Sequence, residues 1–140
     1  MLKKTITFTD YEGNKRTEDF WFNLSKAEIL EMELLTEGGM ERLIDKVIAA
    51  QDVPGLIKIF KDLILKSYGE KSADGRRFIK SEQLTTEFTQ TEAYSELFME
   101  LASDADSAAA FINGIIPDDI DINDPKLKDE VTARLEQKDA

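Results

Sequence analysis

Two apolar runs open the chain. "LKKTITFTD" and "RTEDFWFN" alternate Thr, Ile, Phe and Trp with polar residues, and "YEGNK" between them carries Gly13 and Asn14. Period-two alternation around a Gly/Asn turn predicts an antiparallel β-hairpin over residues 2–22. A two-residue loop would pair Phe8 with Asp19. A three-residue loop pairs Phe8 with Phe20 and Ile6 with Phe22, which gathers the apolar side chains on one face, and is the register expected. The opposite face then holds Thr5, Thr7, Thr9, Thr17, Asp19 and Trp21. A lone hairpin is marginal in water, so its apolar face needs helices or another subunit to pack on.

From Ser25 the period changes from two to 3.6. "SKAE" at Ser25 to Glu28 fits a capping box, starting a helix that runs to about Leu35. Met40, Leu43, Ile44, Val47 and Ile48 form one face of a second helix. Asp52 and Pro54 are start signals for a third, in which Leu56, Ile57, Phe60, Leu63, Ile64 and Tyr68 repeat the spacing. Ile59 and Leu65 widen that stripe, so this helix is expected to be the most enclosed, with Gly69 as its left-handed C-cap. "SEQLTTEF" and "TEAYSELFMELA" read as further helices, and "SDADSAAAFINGIIP" as one capped near Ser103 or Asp104 and stopped by Gly114 and Pro117. Leu30, Leu34, Met40 and Met99 are expected in the core.

The predicted class is therefore mainly α with an N-terminal β-hairpin (α+β), with about five or six helices. Residues 1–117 form one domain, hairpin 2–22 plus helical bundle 25–116. Past Pro117, "DDIDINDP" is acidic with isolated apolar residues, and 118–140 is expected to be a loosely attached tail.

Charge and chemistry narrow the function. The 140 residues carry 29 acidic and 18 basic side chains, a net charge of −11, with no Cys and no His. Thiolate and imidazole metal ligands, Cys nucleophiles and His general bases are excluded. The negative total argues against nucleic acid and anionic membranes as partners. No run approaches the roughly 18 apolar residues of a membrane span, and no secretory h-region is present, so a cytoplasmic setting is expected. Pairs such as Glu92 with Glu96 and Asp118 with Asp119 arise by chance on so acidic a surface. "DDIDINDP" lacks the central Gly and terminal Glu of a Ca²⁺ loop, so neither a metal nor a cofactor is expected.

One stretch departs from the acidic background. "KSYGEKSADGRRFIKS", Lys66 to Ser81, has two glycines and a basic cluster, but its spacing fails a P-loop. It reads as a connector in which Asp74-Gly75 makes a turn and Phe78 and Ile79 return the chain to the core. Arg76, Arg77 and Lys80 would then be the one basic spot, available to a partner's acidic patch. Trp21 suits an interface if the threonine face is open, or packs internally if helices cover both faces. Trp21, Arg76, Arg77 and Phe78 are the candidate partner-binding residues; catalytic residues are not expected.

Over Thr5 to Pro117, through "EDFWFNLSKAEILEMEL", "TEGGMERLIDKVIAAQD", "KIFKDLILKSYGEKSADGRRFIKS" and "FTQTEAYSELFMELASDADSAAAFINGIIP", the chain resembles the tail assembly chaperones of long-tailed, non-contractile bacteriophages of Gram-positive hosts. The resemblance implies a non-enzymatic helical protein that binds the tape measure protein, keeps it soluble and promotes assembly of tail tube subunits around it. It further implies action in the cytoplasm of the infected bacterium and absence from the mature virion. Wide apolar stripes point to self-association as a homo-oligomer. Rival functions for an acidic phage protein are a DNA mimic or inhibitor acting on a host factor, and a structural virion connector.

Overall fold

The computed structural model describes residues 1–35, 38, 39, 42, 45 and 49–117. The second helix expected around Met40, Leu43, Ile44, Val47 and Ile48, and the tail at 118–140, lie outside the described residues.

Strands β1 (Leu2–Thr9) and β2 (Lys15–Phe22) form the expected N-terminal antiparallel hairpin. Its register is a correction. Phe8 pairs with Arg16, Ile6 with Glu18 and Leu2 with Phe22, joined by a five-residue loop, Asp10 to Asn14. The cause is Asp10. Its Oδ1 accepts from the Glu12 and Asn14 amides, both at 2.9 Å, and its Oδ2 accepts from Arg16 Nε at 2.7 Å. A carboxylate closing the loop outweighs direct Phe–Phe pairing. Because the slip is an even number of residues, each side chain keeps its face. Phe8 and Phe20 still approach diagonally, with ring centroids 6.3 Å apart.

The Asp10 carboxyl is held below its ordinary value of 3.8, first by the Arg16 hydrogen bond and then by the Asn14 amide. A depressed folded pKa stabilises the loop above the unfolded value, and that contribution is lost as pH falls through the folded one. An NMR titration is expected to place the Asp10 midpoint below 3.8, with the loop amides of Glu12 and Asn14 shifting in step.

Helix α1 (Lys26–Leu35) begins with the predicted capping box: Glu28 N donates to Ser25 Oγ at 3.1 Å and Ser25 N to Glu28 Oε1 at 3.0 Å. Helix α2 (Val53–Ser67) starts at Asp52, whose Oδ1 accepts from Gly55 N at 3.0 Å. It is less enclosed than its sequence suggests. Leu63, Ile64 and Ser67 are buried in its last turns, while Val53 and Ile57 are exposed. Tyr68 ends the helix in an extended conformation and opens β3 (Tyr68–Lys71), so Gly69 is a strand residue and not a left-handed cap.

Strand β3 pairs with β2 and with the short β4 (Phe78–Ile79), giving one antiparallel sheet ordered β1-β2-β3-β4. The stretch expected to be a plain connector is thus a second hairpin. Helices α3 (Glu82–Thr89), α4 (Glu92–Ser103) and α5 (Ala105–Ile115) follow, N-capped by Ser81, Thr91 and Asp104. Gly114, expected to stop α5, lies inside its last turn.

The core lies between one sheet face and these helices. Ile6, Phe8 and Phe22 meet Phe88, Leu97, Leu101, Phe111 and Ile115. Phe22, fully buried, sits 5.7 Å from Tyr68, 5.8 Å from Phe88 and 5.3 Å from Phe111 between ring centroids. Leu34 and Met99, expected in the core, are exposed.

Candidate partner-binding face

The other face of the sheet faces outward. Thr5, Thr7, Thr9, Thr17 and Asp19 are exposed there, so the described helices cover only one side of the hairpin. Short cross-strand bonds hold these side chains to the sheet: Thr5 Oγ1 donates to Asp19 Oδ1 at 2.6 Å, and the Thr7 and Thr17 hydroxyls lie 3.0 Å apart.

Trp21 stands on this face, half-buried, as its alternation predicts. It is flanked by two cations, Lys71 Nζ at 3.8 Å from the ring centroid and Lys3 Nζ at 5.8 Å. An indole between ammonium groups keeps a rigid apolar surface ringed by positive charge, a combination suited to recognition.

Gly69 pairs directly with Trp21 across β2 and β3. A Cβ placed on it would lie 2.8 Å from Cε2 of Phe78, because the Phe78 ring leans across the glycine. The missing side chain is what lets a second aromatic ring settle beside the strand carrying Trp21. Two of the four sequence-predicted residues, Trp21 and Phe78, therefore share this sheet face.

Arg76 and Arg77 occupy the turn joining β3 to β4. Ser72 N donates to Arg77 O at 2.8 Å and Gly75 N to Ser72 O at 2.9 Å, while Gly75 takes a φ of +74° that an L side chain rarely adopts. Asp74 Oδ1 accepts from Ser72 Oγ at 2.7 Å and from the Arg76 amide at 3.0 Å. These bonds, the Ser72 hydroxyl first, hold the Asp74 carboxyl below its usual value. Both arginines are exposed, and neither forms an ion pair among the described residues.

Lys80, expected beside them in a free basic spot, is instead engaged. Its Nζ donates to Asn23 O at 2.7 Å and to Glu28 Oε2 at 2.6 Å, tying β4 to the start of α1. Burial pushes the Glu28 carboxyl up, but the Lys80 and Ser25 bonds outweigh it and hold the group below its ordinary value. Residue pattern alone missed Lys3 and Lys71 as neighbours of Trp21. The available signal was Lys71 two positions beyond Gly69, which becomes informative only once Tyr68 to Lys71 is seen as a strand and not as a helix end.

Among the described residues, no group of three or more acidic side chains is placed to hold a metal ion. No described helix is long and apolar enough to cross a membrane.

Comparison with known proteins places the chain in a family. The sequence model for phage tail assembly chaperones matches residues 1–138. The chain belongs to the phage tail assembly chaperone family. No curated protein and no solved structure matches it. In such a chaperone the partners are phage tail proteins; the sheet face of this chaperone sets Trp21 beside Lys3 and Lys71 in a chain of net charge −11.

Proposed function

We propose that this chaperone binds the tape measure protein, keeps it soluble and promotes assembly of tail tube subunits around it, catalysing no reaction. The observation that carries this reading is the family match over residues 1–138. The face bearing Trp21, Lys71 and Phe78, with Arg76 and Arg77 at its turn, supports it. Trp21 and Phe78 cover apolar side chains of the bound segment, and the cations meet its carboxylates. The net charge of −11 keeps coated assemblies apart in solution. Further copies of the chaperone share a long tape measure, and the complex forms in the cytoplasm of the infected bacterium and is lost before the virion matures.

Co-expression with the tape measure protein tests the proposal. The tape measure is expected to be insoluble alone, and soluble and co-purifying with the chaperone. Arg76→Ala/Arg77→Ala is expected to leave thermal stability within about 0.5 kcal/mol of wild type, since both side chains are exposed and without ion pairs. Adding Trp21→Ala is expected to reduce the co-purified tape measure about tenfold or more, as loss of an interface anchor does. An insoluble tape measure with no complex would overturn the tape measure reading and turn attention to a host factor. Retention undiminished by the triple change would move the contact to another surface.

A further inference from the structure

A second surface lies at the open edge of β1. In the sheet order β1-β2-β3-β4, β1 has one strand neighbour among the described residues. Its ladder to β2 runs without a bulge from Leu2↔Phe22 to Thr9↔Lys15, and it contains no proline. At the loop end Asp10 N donates to Asn14 O at 2.8 Å. Bonded pairs in an antiparallel ladder recur every second residue, so the even positions of β1 bond to β2. The odd positions, Lys3, Thr5, Thr7 and Thr9, turn their N–H and C=O groups to the edge away from β2, which no described strand occupies. Such edges accept another strand unless they are blunted, and the charged side chains on β1 itself are Lys3 and Lys4, both at one end.

Alongside this edge runs α4. Lys4, Thr5, Ile6 and Thr7 of the strand and Glu96, Leu97 and Glu100 of the helix line a groove of about 300 Å³. Its floor is apolar, with Ile6 and Leu97 buried. The helix side is acidic: Glu96 and Glu100 are exposed, Glu100 Oε2 lies 3.1 Å from Lys4 Nζ, and Glu96 has no ion pair among the described residues.

We propose that the groove between β1 and α4 takes an extended segment of a partner polypeptide that carries both apolar side chains and lysine or arginine on the face it turns to α4, and that this segment joins the sheet beside β1. Main-chain bonds to Thr5 and Thr7 supply the affinity. The alternate side chains that face α4 supply the selectivity, apolar ones above Ile6 and Leu97 and cationic ones beside Glu96 and Glu100, while the intervening ones point to the outer face. Charge decides the occupant. A second copy pairing β1 with β1 would bring two rims of Glu96 and Glu100 together on chains of net charge −11, and phosphate would meet the same carboxylates.

The test uses the full chain and a short labelled peptide in which every second residue is threonine and the residues between alternate lysine with valine, so that one face carries both. Binding is expected to slow hydrogen exchange at the Thr5 and Thr7 amides. N-methylation of alternate peptide amides, made in both phases, is expected to weaken binding at least about tenfold in one phase only, because an added strand presents one row of N–H groups to its neighbour. Replacing lysine by glutamate in the peptide, or Glu96→Lys in the protein, is expected to weaken it similarly. Absence of binding, equal binding of the lysine and glutamate peptides, or equal tolerance of both methylation phases would overturn the proposal. So would protection of the β1 amides that rises with protein concentration without peptide, which would give the edge to a second copy. Arg76→Ala/Arg77→Ala is expected to bind the peptide like wild type, so the outcome is independent of the tape measure reading.

Discussion

Phe22→Ala is expected to cost about 3–5 kcal/mol of folding stability, the range for deleting a buried aromatic side chain that leaves a cavity. Phe22 is fully buried and touches rings from three other elements: Tyr68 at the start of β3, Phe88 in α3 and Phe111 in α5. Those neighbours cannot all collapse inward. Tyr68 and Phe88 are already stacked at 4.2 Å with their planes 11° apart, and moving either would break that contact. The backbone beside Phe22 is also committed, with Asn23 N donating to Ser67 O at 2.8 Å and Leu24 N to Ile115 O at 2.9 Å. A typical domain has about 5–15 kcal/mol in total, so the variant should be partly unfolded at ordinary temperature. Urea denaturation should show a lower midpoint with an unchanged slope. A loss below about 1 kcal/mol would mean that these rings do not form a shared core.

Much of this was legible in the sequence where one local signal had no competitor. The capping box at Ser25 and Glu28, the Asp52 start of α2, the N-terminal hairpin and the outward position of Trp21 all follow from spacing over a few residues. What was not legible involved competition between signals of similar strength. The hairpin register set a Phe8–Phe20 pair against a loop built on Asp10, and hydrophobic alternation cannot tell registers apart when they differ by an even number of residues. Tyr68 completes a helical stripe in the sequence, yet it also begins a strand, because Phe22 offers an edge for it to pair with. A Tyr68 in the helix makes Gly69 its cap and leaves no strand to bring Lys71 to Trp21. Lys80 failed for a related reason: its partners, Asn23 and Glu28, lie over fifty residues away in the chain. Three of the four candidate residues, Arg76, Arg77 and Phe78, are consecutive in the chain, since an unpaired basic pair in an acidic chain is a local signal.

The candidate face depends on Gly69, and Gly69→Val is expected to damage both stability and binding. A Cβ at Gly69 would lie 2.7 Å from the Ile79 carbonyl oxygen and 2.8 Å from Cε2 of Phe78. The ring could rotate away. The carbonyl belongs to the backbone of β4, so β3 and β4 would have to separate. Overpacking of this kind costs roughly 1–3 kcal/mol, and a β-branched residue should reach the upper end. Phe78 would leave its seat beside the strand that carries Trp21, so tape measure co-purification is expected to fall even at temperatures where the variant remains folded. The two obstacles separate in a double-mutant cycle. In a Phe78→Ala background the ring clash is gone and the carbonyl clash remains, so the cost of Gly69→Val should fall but not vanish. If it vanished, the ring alone would fill the space above Gly69. If Gly69→Val matched wild type in both stability and retention of the tape measure, the close approach of β4 to Gly69 would not be what shapes the face.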